Sequence, residues 1–365
     1  MPELLEPVVV AGMSLRNRLM RSATAERLAE PDGTPLPQLA DMIASLARGG
    51  VGLIVLGHTF VRPDGKASRG MAGIWRDDQV PAFSRVAQAA HEEGSRVAVQ
   101  INHAGRQANP ELIGGQPIAP STLAPSEWTP VARGLEASEI PELIDAYAQA
   151  ARRVKEAGFD AVQIHGAHGY LIGQFLSPHA NRRNDEWGGS LQIRSRFLRE
   201  VAHAVRAQVG AGYPVLIKLG LADFIPGGLL LEEGLAVVEQ LAEMGLDLVE
   251  ISGGAGAGNA REGIRRPEDE AYFLPWAREA RRRTDLPLAL VGGFRSLAVM
   301  QGALDEGAAD LISLSRPLIR EPDLPLKLAR GESVRAACVS CNLCSKNNQE
   351  PTRCWANGSL VSGKW

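Results

Sequence analysis

The sequence lacks the features that mark membrane, secreted and nucleic-acid-binding proteins. Its apolar runs are strand-sized, such as residues 51–56, whereas a membrane-spanning helix needs about 20 apolar residues. Lys and Arg total 39 against 42 Asp and Glu, so the formal net charge is −3. There is thus no basic surplus to bind nucleic acid or an anionic membrane. The first residues, Met-Pro-Glu-Leu-Leu-Glu, are acidic where a signal peptide would be basic. We therefore expect a cytoplasmic globular protein with no membrane or nucleic-acid partner.

Cysteine is absent from the sequence until its last 30 residues, which contain Cys338, Cys341, Cys344 and Cys354. Disulfides confined to one end cannot hold a body of 365 residues together, so this pattern indicates metal or cluster ligands in a reducing compartment. The first three cysteines have the spacing that begins a bacterial ferredoxin run. Zinc sites more often use two separated C-x-x-C pairs. A [4Fe–4S] cluster, structural zinc and unligated thiols all stay open.

Short apolar, β-branched runs alternate with amphipathic helical patterns along the chain. The predicted strands cover residues 19–25, 52–56, 97–101, 161–165, 215–219, 248–252, 288–291 and 311–314. Between them, Ser138 and Gly158 are the predicted cap residues of one helix, and Ser296 and Gly307 bound another. Eight strand–helix repeats predict an α/β protein with a (β/α)₈ barrel. A hairpin at residues 8–15 is expected to close the barrel floor.

A doubly wound sheet is the alternative fold, but it requires a dinucleotide-binding fingerprint. No segment, including the glycine-rich residues 252–259, matches G-x-G-x-x-G. We interpret that run as a flexible loop over the barrel mouth. The predicted organisation is a barrel over residues 1–330 and a cysteine-rich C-terminal extension over residues 331–365.

The chemistry of such a barrel lies where its strands end. Small residues follow strands 1, 7 and 8, whereas hydrogen-bond donors follow strands 3 to 5. This asymmetry predicts a flat ligand across the mouth with a phosphate at strands 7 and 8. There the backbone of Gly292, Gly293 and Ser315 could surround the phosphate, and Arg316 would supply charge.

The fourth strand ends in His165-Gly-Ala-His168-Gly-Tyr170. Two imidazoles could hold a carbonyl oxygen while the phenol delivers a proton. Structural histidines are the simpler interpretation, and an H-x-x-H pair on a helix would be half of a metal site. On strand 5, Lys218 could form a Schiff base, as in an aldolase.

Several motifs together resemble the Old Yellow Enzyme family of FMN-dependent ene-reductases. The most specific runs from Val162 through the His165–Tyr170 group and Arg182-Arg183-Asn-Asp185-Glu-Trp187-Gly-Gly-Ser190. The others are Leu15-Arg-Asn17-Arg18, Val99-Gln100-Ile-Asn-His103-Ala-Gly105-Arg106 and Val291-Gly-Gly293. The resemblance covers roughly residues 5–330.

The resemblance implies non-covalent FMN on the barrel mouth and a role for each matching residue. Ala23, Thr24, Ala25 and Gly57 would border the isoalloxazine ring, Gln100 would bind its pyrimidine edge, and Gly293, Ser315 and Arg316 would hold the phosphate. Lys218, where the family usually has arginine, would stand beside N1 and O2. His165 is assigned to the cofactor site and, with His168, to the substrate carbonyl. Tyr170 would be the proton donor.

The implied reaction takes hydride from NAD(P)H through flavin N5 to the activated C=C bond of an α,β-unsaturated carbonyl compound. The cysteine tail resembles that of the trimethylamine dehydrogenase and 2,4-dienoyl-CoA reductase branch. The alternative function is therefore electron transfer or amine oxidation with an external electron carrier. The resemblance also implies a homo-oligomer. The physiological substrate, the choice of NADH or NADPH and the metal stay open.

Overall fold

A computed structural model describes residues 3–125, 130–255, 263–346 and 350–356. Within these ranges eight parallel strands form a closed barrel, each paired with the next along the chain and the last paired with the first. They are β3 (Leu19–Thr24), β4 (Leu53–Phe60), β5 (Arg96–Asn102), β8 (Ala161–Gly166), β9 (Val215–Gly220), β10 (Leu248–Ser252), β11 (Leu288–Leu290) and β12 (Leu311–Leu314). The predicted (β/α)₈ barrel and its eight strands are confirmed.

Helices connect and cover these strands. They are α1 (Pro37–Arg48), α2 (Val80–Glu92), α3 (Pro110–Ile113), α4 (Ile140–Glu156), α5 (Leu171–Leu176), α6 (Leu191–Arg194), α7 (Arg196–Val209), α8 (Leu231–Gln240), α9 (Leu274–Arg281), α10 (Leu297–Asp305), α11 (Arg316–Arg320), α12 (Leu324–Ala329) and α13 (Leu343–Lys346). Within the described ranges, none of the helices combines the length and the apolarity that a membrane crossing requires.

The predicted helix ends are right in three of four positions. Gly158 and Gly307 follow α4 and α10 with φ of +84° and +71°, the left-handed conformation that glycine adopts readily. Ser296 is the N-cap of α10. Ser138 is not the cap of α4, because it lies in a 3₁₀ turn and Glu139 occupies the N-cap.

Two short pairs of strands lie outside the barrel. The predicted floor hairpin is formed by β1 (Val8–Val10) and β2 (Met13–Leu15), whose buried side chains pack against the apolar barrel interior. Sequence reasoning missed β6 (Ile118–Ala119) and β7 (Arg133–Gly134), a parallel pair in the long connection after β5. Of the predicted glycine-rich loop at residues 252–259, residues 256–259 lie outside the described residues.

Side chains of alternate strand residues fill the barrel in layers. The layer nearest the floor is apolar and comprises Met20, Leu53, Ala98, Ala161, Leu216, Leu248, Ala289 and Leu311. Two residues further along their strands, a buried layer contains Ser22, Gln100, Gln163, Lys218, Glu250 and Ser313. We call these six residues the polar layer. It separates the apolar core from the mouth.

A buried ion pair joins the ends of β3 and β4. The Arg21 guanidinium donates to Glu26 Oε1 at 2.7 Å and to the carbonyl of Val55 at 2.9 Å. The Glu26 carboxylate also accepts the backbone N–H of Gly57 at 3.0 Å. A Cβ at Gly57 would lie 2.5 Å from Glu26 Oε2, so only glycine fits there.

The buried pair generates a stability prediction. Glu26→Ala would leave Arg21 buried without its counter-ion, and we expect a loss of about 3–5 kcal/mol in the free energy of unfolding. The control is Glu332→Ala, which removes an exposed ion pair with Arg330 and should cost less than about 1 kcal/mol. Urea unfolding of both variants measures the difference, and equal effects would contradict a structural role for the pair.

Candidate active site

The carboxyl ends of the barrel strands surround a cavity of about 430 Å³, a typical volume for a small-molecule site. The predicted site residues that line it are Ala23, Thr24, Ala25, His168, Tyr170, Lys218, Gly293, Ser315, Arg316 and Cys344. These residues come from the beginning, the middle and the end of the chain. The structure therefore brings most of the predicted site together.

Three of the residues that the resemblance assigns to the flavin or the substrate do not line this cavity. Gln100 belongs to the polar layer and donates to Gln163 Oε1 at 2.7 Å. Gly57 is buried and donates its backbone N–H to the Glu26 carboxylate. His165 is 2% exposed, and its ring contacts those of His168 and Tyr170, which do line the cavity. Their assigned roles stay predictions.

A cluster of four rings lies at the ends of β4 and β8. The His165 ring centre is 5.1 Å from that of His168 and 5.0 Å from that of Tyr170. His168 has φ of +59° and Tyr170 is the N-cap of α5, so the H-x-x-H pair lies on a strand end and a turn rather than on a helix. Among the described residues, no group of three His, Cys, Asp or Glu side chains could hold a metal ion. The helical metal half-site is therefore wrong.

The fourth ring is His58, which the site prediction omitted. It stacks on Tyr170 with ring centres 5.1 Å apart and planes 26° apart. Its Nδ1 lies 3.2 Å from Nδ2 of Asn102. Its position after strand 2 was readable from the sequence, but the stacking on a residue more than 100 positions away was not.

Burial keeps the three imidazoles neutral. It lowers the pKa of His168 to about 3 and, together with Arg27, lowers the pKa of His58 to about 4. Burial and the neighbouring His168 also hold the pKa of His165 well below its usual value. A neutral imidazole donates through one nitrogen and accepts through the other. His168 Nε2 lies 2.8 Å from Ser252 Oγ.

The phenol of Tyr170 keeps its proton at neutral pH. Burial raises its pKa to about 12, although the Arg27 cation opposes this shift. A buried phenol beside two neutral imidazoles can act as a proton donor to a basic carbon or oxygen.

Lys218 reaches the cavity from within the polar layer. Its Nζ donates to Ser22 Oγ at 2.6 Å and to Glu250 Oε1 at 3.0 Å. Burial alone would raise the pKa of Glu250, but Lys218 and hydrogen bonds from Ser22 and Ser313 outweigh burial and lower it. Sequence reasoning missed Glu250, although its alternation with Leu248 on one strand indicates an inward side chain.

The opposite wall of the cavity contains the residues assigned to a phosphate. Gly293 has φ of +75°, and a Cβ there would lie 2.4 Å from Ile264 Cδ1, so the position excludes side chains. Ser315 Oγ lies 2.8 Å from Thr24 Oγ1. Arg316 begins α11 and donates to Asn342 Oδ1.

The C-terminal tail folds over the mouth. Thr352 donates its backbone N–H to Glu26 O at 3.0 Å and its hydroxyl to Ala25 O at 2.6 Å. Ser340, Asn342 and Ser345 also line the cavity. The last barrel helix, α12, ends one residue before the predicted boundary at 330, and the division into barrel and extension stays a prediction.

Cys338, Cys341, Cys344 and Cys354 line a second cavity of about 20 Å³. Among the described residues, however, no three of these thiols form a group that could hold a metal ion. Burial raises the pKa of Cys338 and of Cys344, so in the absence of a metal both thiols keep their protons at neutral pH. The cluster and zinc interpretations find no support in this geometry and stay predictions.

A (β/α)₈ barrel whose polar side chains converge at its mouth is typical of an enzyme. Comparison with known proteins gives the family. The model of the NADH:flavin oxidoreductase / NADH oxidase family matches residues 3–334. The chain belongs to this family, and the predicted resemblance is confirmed.

Individual relatives agree with this assignment. The NADPH dehydrogenase of Geobacillus thermodenitrificans is 35% identical over 91% of this chain and 95% of its own length. The NADH oxidase of Thermoanaerobacter brockii is 35% identical over 94% of this chain, which spans only 53% of that protein. The 4,4'-dithiodibutanoate disulfide reductase of Rhodococcus erythropolis is 30% identical over 99% of this chain and 96% of its own length.

Solved structures agree as well. An old yellow enzyme homologue from Zymomonas mobilis has a TM-score of 0.81, with 31% identity over 93% of this chain and 95% of that one. Morphinone reductase in complex with tetrahydroNAD has a TM-score of 0.79, with 30% identity over 93% of each chain. By family, the chain is an NAD(P)H-dependent FMN oxidoreductase.

The buried imidazoles generate a pH prediction. An unfolded histidine binds a proton below about pH 6.5, whereas folded His168 stays neutral down to about pH 3. Stability is therefore lost as the pH falls through 6.5. Between about pH 4 and 6, the proton that only unfolded His168 binds adds about 1.4 kcal/mol per pH unit to the slope of the unfolding free energy against pH. His168→Asn should remove this contribution.

Urea unfolding at several pH values in that window measures the slope. The matched control is His203→Asn, because His203 is exposed on α7 and should leave the slope unchanged. The same slope in wild type and His168→Asn would contradict the neutral assignment.

Proposed function

We propose that the protein reduces the activated C=C bond of α,β-unsaturated carbonyl compounds with NAD(P)H and FMN. The observation that carries this proposal is the cluster of His165, His168 and Tyr170 beside a cavity that Lys218 enters from below. The cluster and Lys218 together place neutral hydrogen-bond donors, a protonated phenol and a cation at one cavity.

The residues around the cavity fit FMN by their chemistry. Lys218 supplies a cation suited to the electron-rich pyrimidine edge, and Arg316 supplies one suited to a phosphate. Ala23 and Ala25 have small side chains, which suits a flat ring system beside them, and Gly293 has none, which leaves room for a phosphate. When bound, FMN would accept hydride from NAD(P)H and deliver it to the substrate.

His165 and His168 are proposed to hold the substrate carbonyl. Negative charge grows on that oxygen as the C=C bond is reduced, so donors aimed at it stabilise the transition state more than the ground state. In the described structure His165 Nδ1 is buried without a hydrogen-bond partner. Such an unsatisfied polar atom is costly, and a substrate oxygen or an intervening group would satisfy it.

Tyr170 is proposed to protonate the substrate carbon next to the carbonyl. Its raised pKa keeps the proton on the phenol until carbanion character develops on that carbon. The stacked His58 ring restricts the phenol to one orientation, which favours transfer to one face of the substrate.

A second candidate is electron transfer through a cluster in the tail. One observation favours it, since Cys344 lines both the large and the small cavity. Steady turnover of cyclohexenone with NADPH as the sole donor supports the reductase. Turnover only with a protein electron donor, or faster turnover of 4,4'-dithiodibutanoate than of the enone, would overturn the enone proposal.

The proton-donor assignment predicts a separation of two half-reactions. Tyr170→Phe should slow oxidation of the reduced protein by cyclohexenone by about 100-fold, because general acid catalysis contributes about 10²–10⁴-fold. Reduction by NADPH should stay within about twofold. The control is Tyr147→Phe, which changes a buried tyrosine of α4 outside the cavity. Stopped-flow absorbance follows both steps, and equal slowing of both would reject the assignment.

The carbonyl-binding assignment predicts weaker binding of phenols. His165→Ala removes one donor, and we expect the dissociation constant of 4-hydroxybenzaldehyde to rise about tenfold, as for loss of a good hydrogen bond. His203→Ala is the surface control. Titration of the flavin absorbance measures both constants, and an unchanged affinity in His165→Ala would exclude the role.

A further inference from the structure

The centre of the polar layer is a carboxylate that the proposed reaction does not use. Glu250 is completely buried. Its Oε1 accepts from Lys218 at 3.0 Å and from the hydroxyls of Ser22 and Ser313 at 2.7 Å each. Its Oε2 accepts from Gln163 Nε2 at 3.1 Å. Donors from four other strands thus converge on one side chain.

The strand register creates this arrangement. Glu250 pairs directly with Lys218 between β10 and β9, and both side chains point inward from the same layer. Lys218 lines the cavity above, so its ammonium lies between that cavity and the Glu250 carboxylate.

Stability alone does not account for this carboxylate. A buried ion pair generally contributes no more to stability than well-packed apolar residues of the same volume. Neutral hydrogen-bonding side chains could join the same strands. The Glu250 carboxylate adds a negative charge directly beside the Lys218 ammonium, which lines the cavity.

We propose that Glu250 is the counter-ion that positions the ammonium of Lys218 and limits the positive charge that this wall presents to the bound flavin. The inference rests on the proposed FMN site. A flavin gains negative charge on reduction, so the net charge beside it sets how easily it is reduced. Glu250 holds that charge close to neutral.

The charge role predicts the effect of Glu250→Gln. This substitution preserves the size of the side chain and removes its charge, so the midpoint potential of the flavin should shift to a more positive value. The affinity for sulfite, which forms an anionic adduct with oxidised flavin, should rise about tenfold or more. Spectroscopic redox titration and sulfite titration measure these quantities without turnover.

Two further variants separate charge from structure. Ser313→Ala removes one hydrogen bond to the same oxygen and no charge, so it should leave the potential close to that of wild type. Glu250→Asp keeps the charge and should lie closer to wild type than Glu250→Gln does. An unchanged potential in Glu250→Gln, or equal shifts in Glu250→Gln and Ser313→Ala, would overturn the inference.

A second pair of variants serves if Glu250→Gln does not retain FMN. Lys218→Met leaves a buried, unpaired carboxylate, whereas Lys218→Met with Glu250→Gln removes both charges. We expect the double variant to bind FMN more tightly than the single one, with a more positive potential. Equal affinity and potential in the two would overturn the inference.

The two proposals can fail separately. Failure of the wild-type protein to bind FMN, even after reconstitution, would overturn the proposed function. A wild-type protein that binds FMN and reduces the enone, combined with an unshifted potential in Glu250→Gln, would overturn only the role of Glu250.

Discussion

Closure of eight parallel strands into a barrel is the constraint on which the site depends. Each strand points every second side chain inward, and closure aligns these side chains into layers. The same alternation that puts Leu216 into the apolar core puts Lys218 into the polar layer two residues later. One further step along each strand reaches the mouth, where His165 and Ser252 lie. The strand register therefore fixes the positions of the side chains at the mouth and in the polar layer beneath it.

Two buried ion pairs contribute to the barrel in different ways. Arg21 and Glu26 tie the ends of β3 and β4, and their exposed fractions of 2% and 7% leave little room for water. Lys218 and Glu250 join β9 and β10 directly below the cavity. The first pair shapes the wall that the backbone of residues 23–25 presents. The second balances the positive charge of Lys218 beneath the cavity.

Much of this was predictable from local sequence. Strand positions follow from apolar runs between helical patterns, and strand-end residues such as Lys218 and Tyr170 follow from the rule that barrel chemistry lies at the carboxyl ends. The helix-ending glycines are local signals too. Ser138 failed as a cap because an additional 3₁₀ turn precedes α4, a detail that a single cap residue does not reveal.

Contacts between distant strands were not predictable in the same way. The pairing of Lys218 with Glu250 needs the register of two strands, and the stacking of His58 on Tyr170 needs the shape of the mouth. Thr352 donates a hydrogen bond to Ala25, which lies 327 positions earlier in the chain. No local pattern in the sequence indicates that the tail forms part of the cavity wall. Gln100 and Gly57 were assigned to the ligand by motif, whereas their buried partners, Gln163 and Glu26, come from other parts of the chain.

The activity proposed for the site is transfer of hydride from NAD(P)H through FMN to an enone. The most direct measurement is the anaerobic absorption spectrum of the FMN-loaded protein, recorded before NADPH, after one equivalent of NADPH and after one equivalent of cyclohexenone. We expect the flavin bands to bleach with NADPH and to return in full with the enone. Bands that do not bleach, or that bleach and do not return, would contradict the proposed activity.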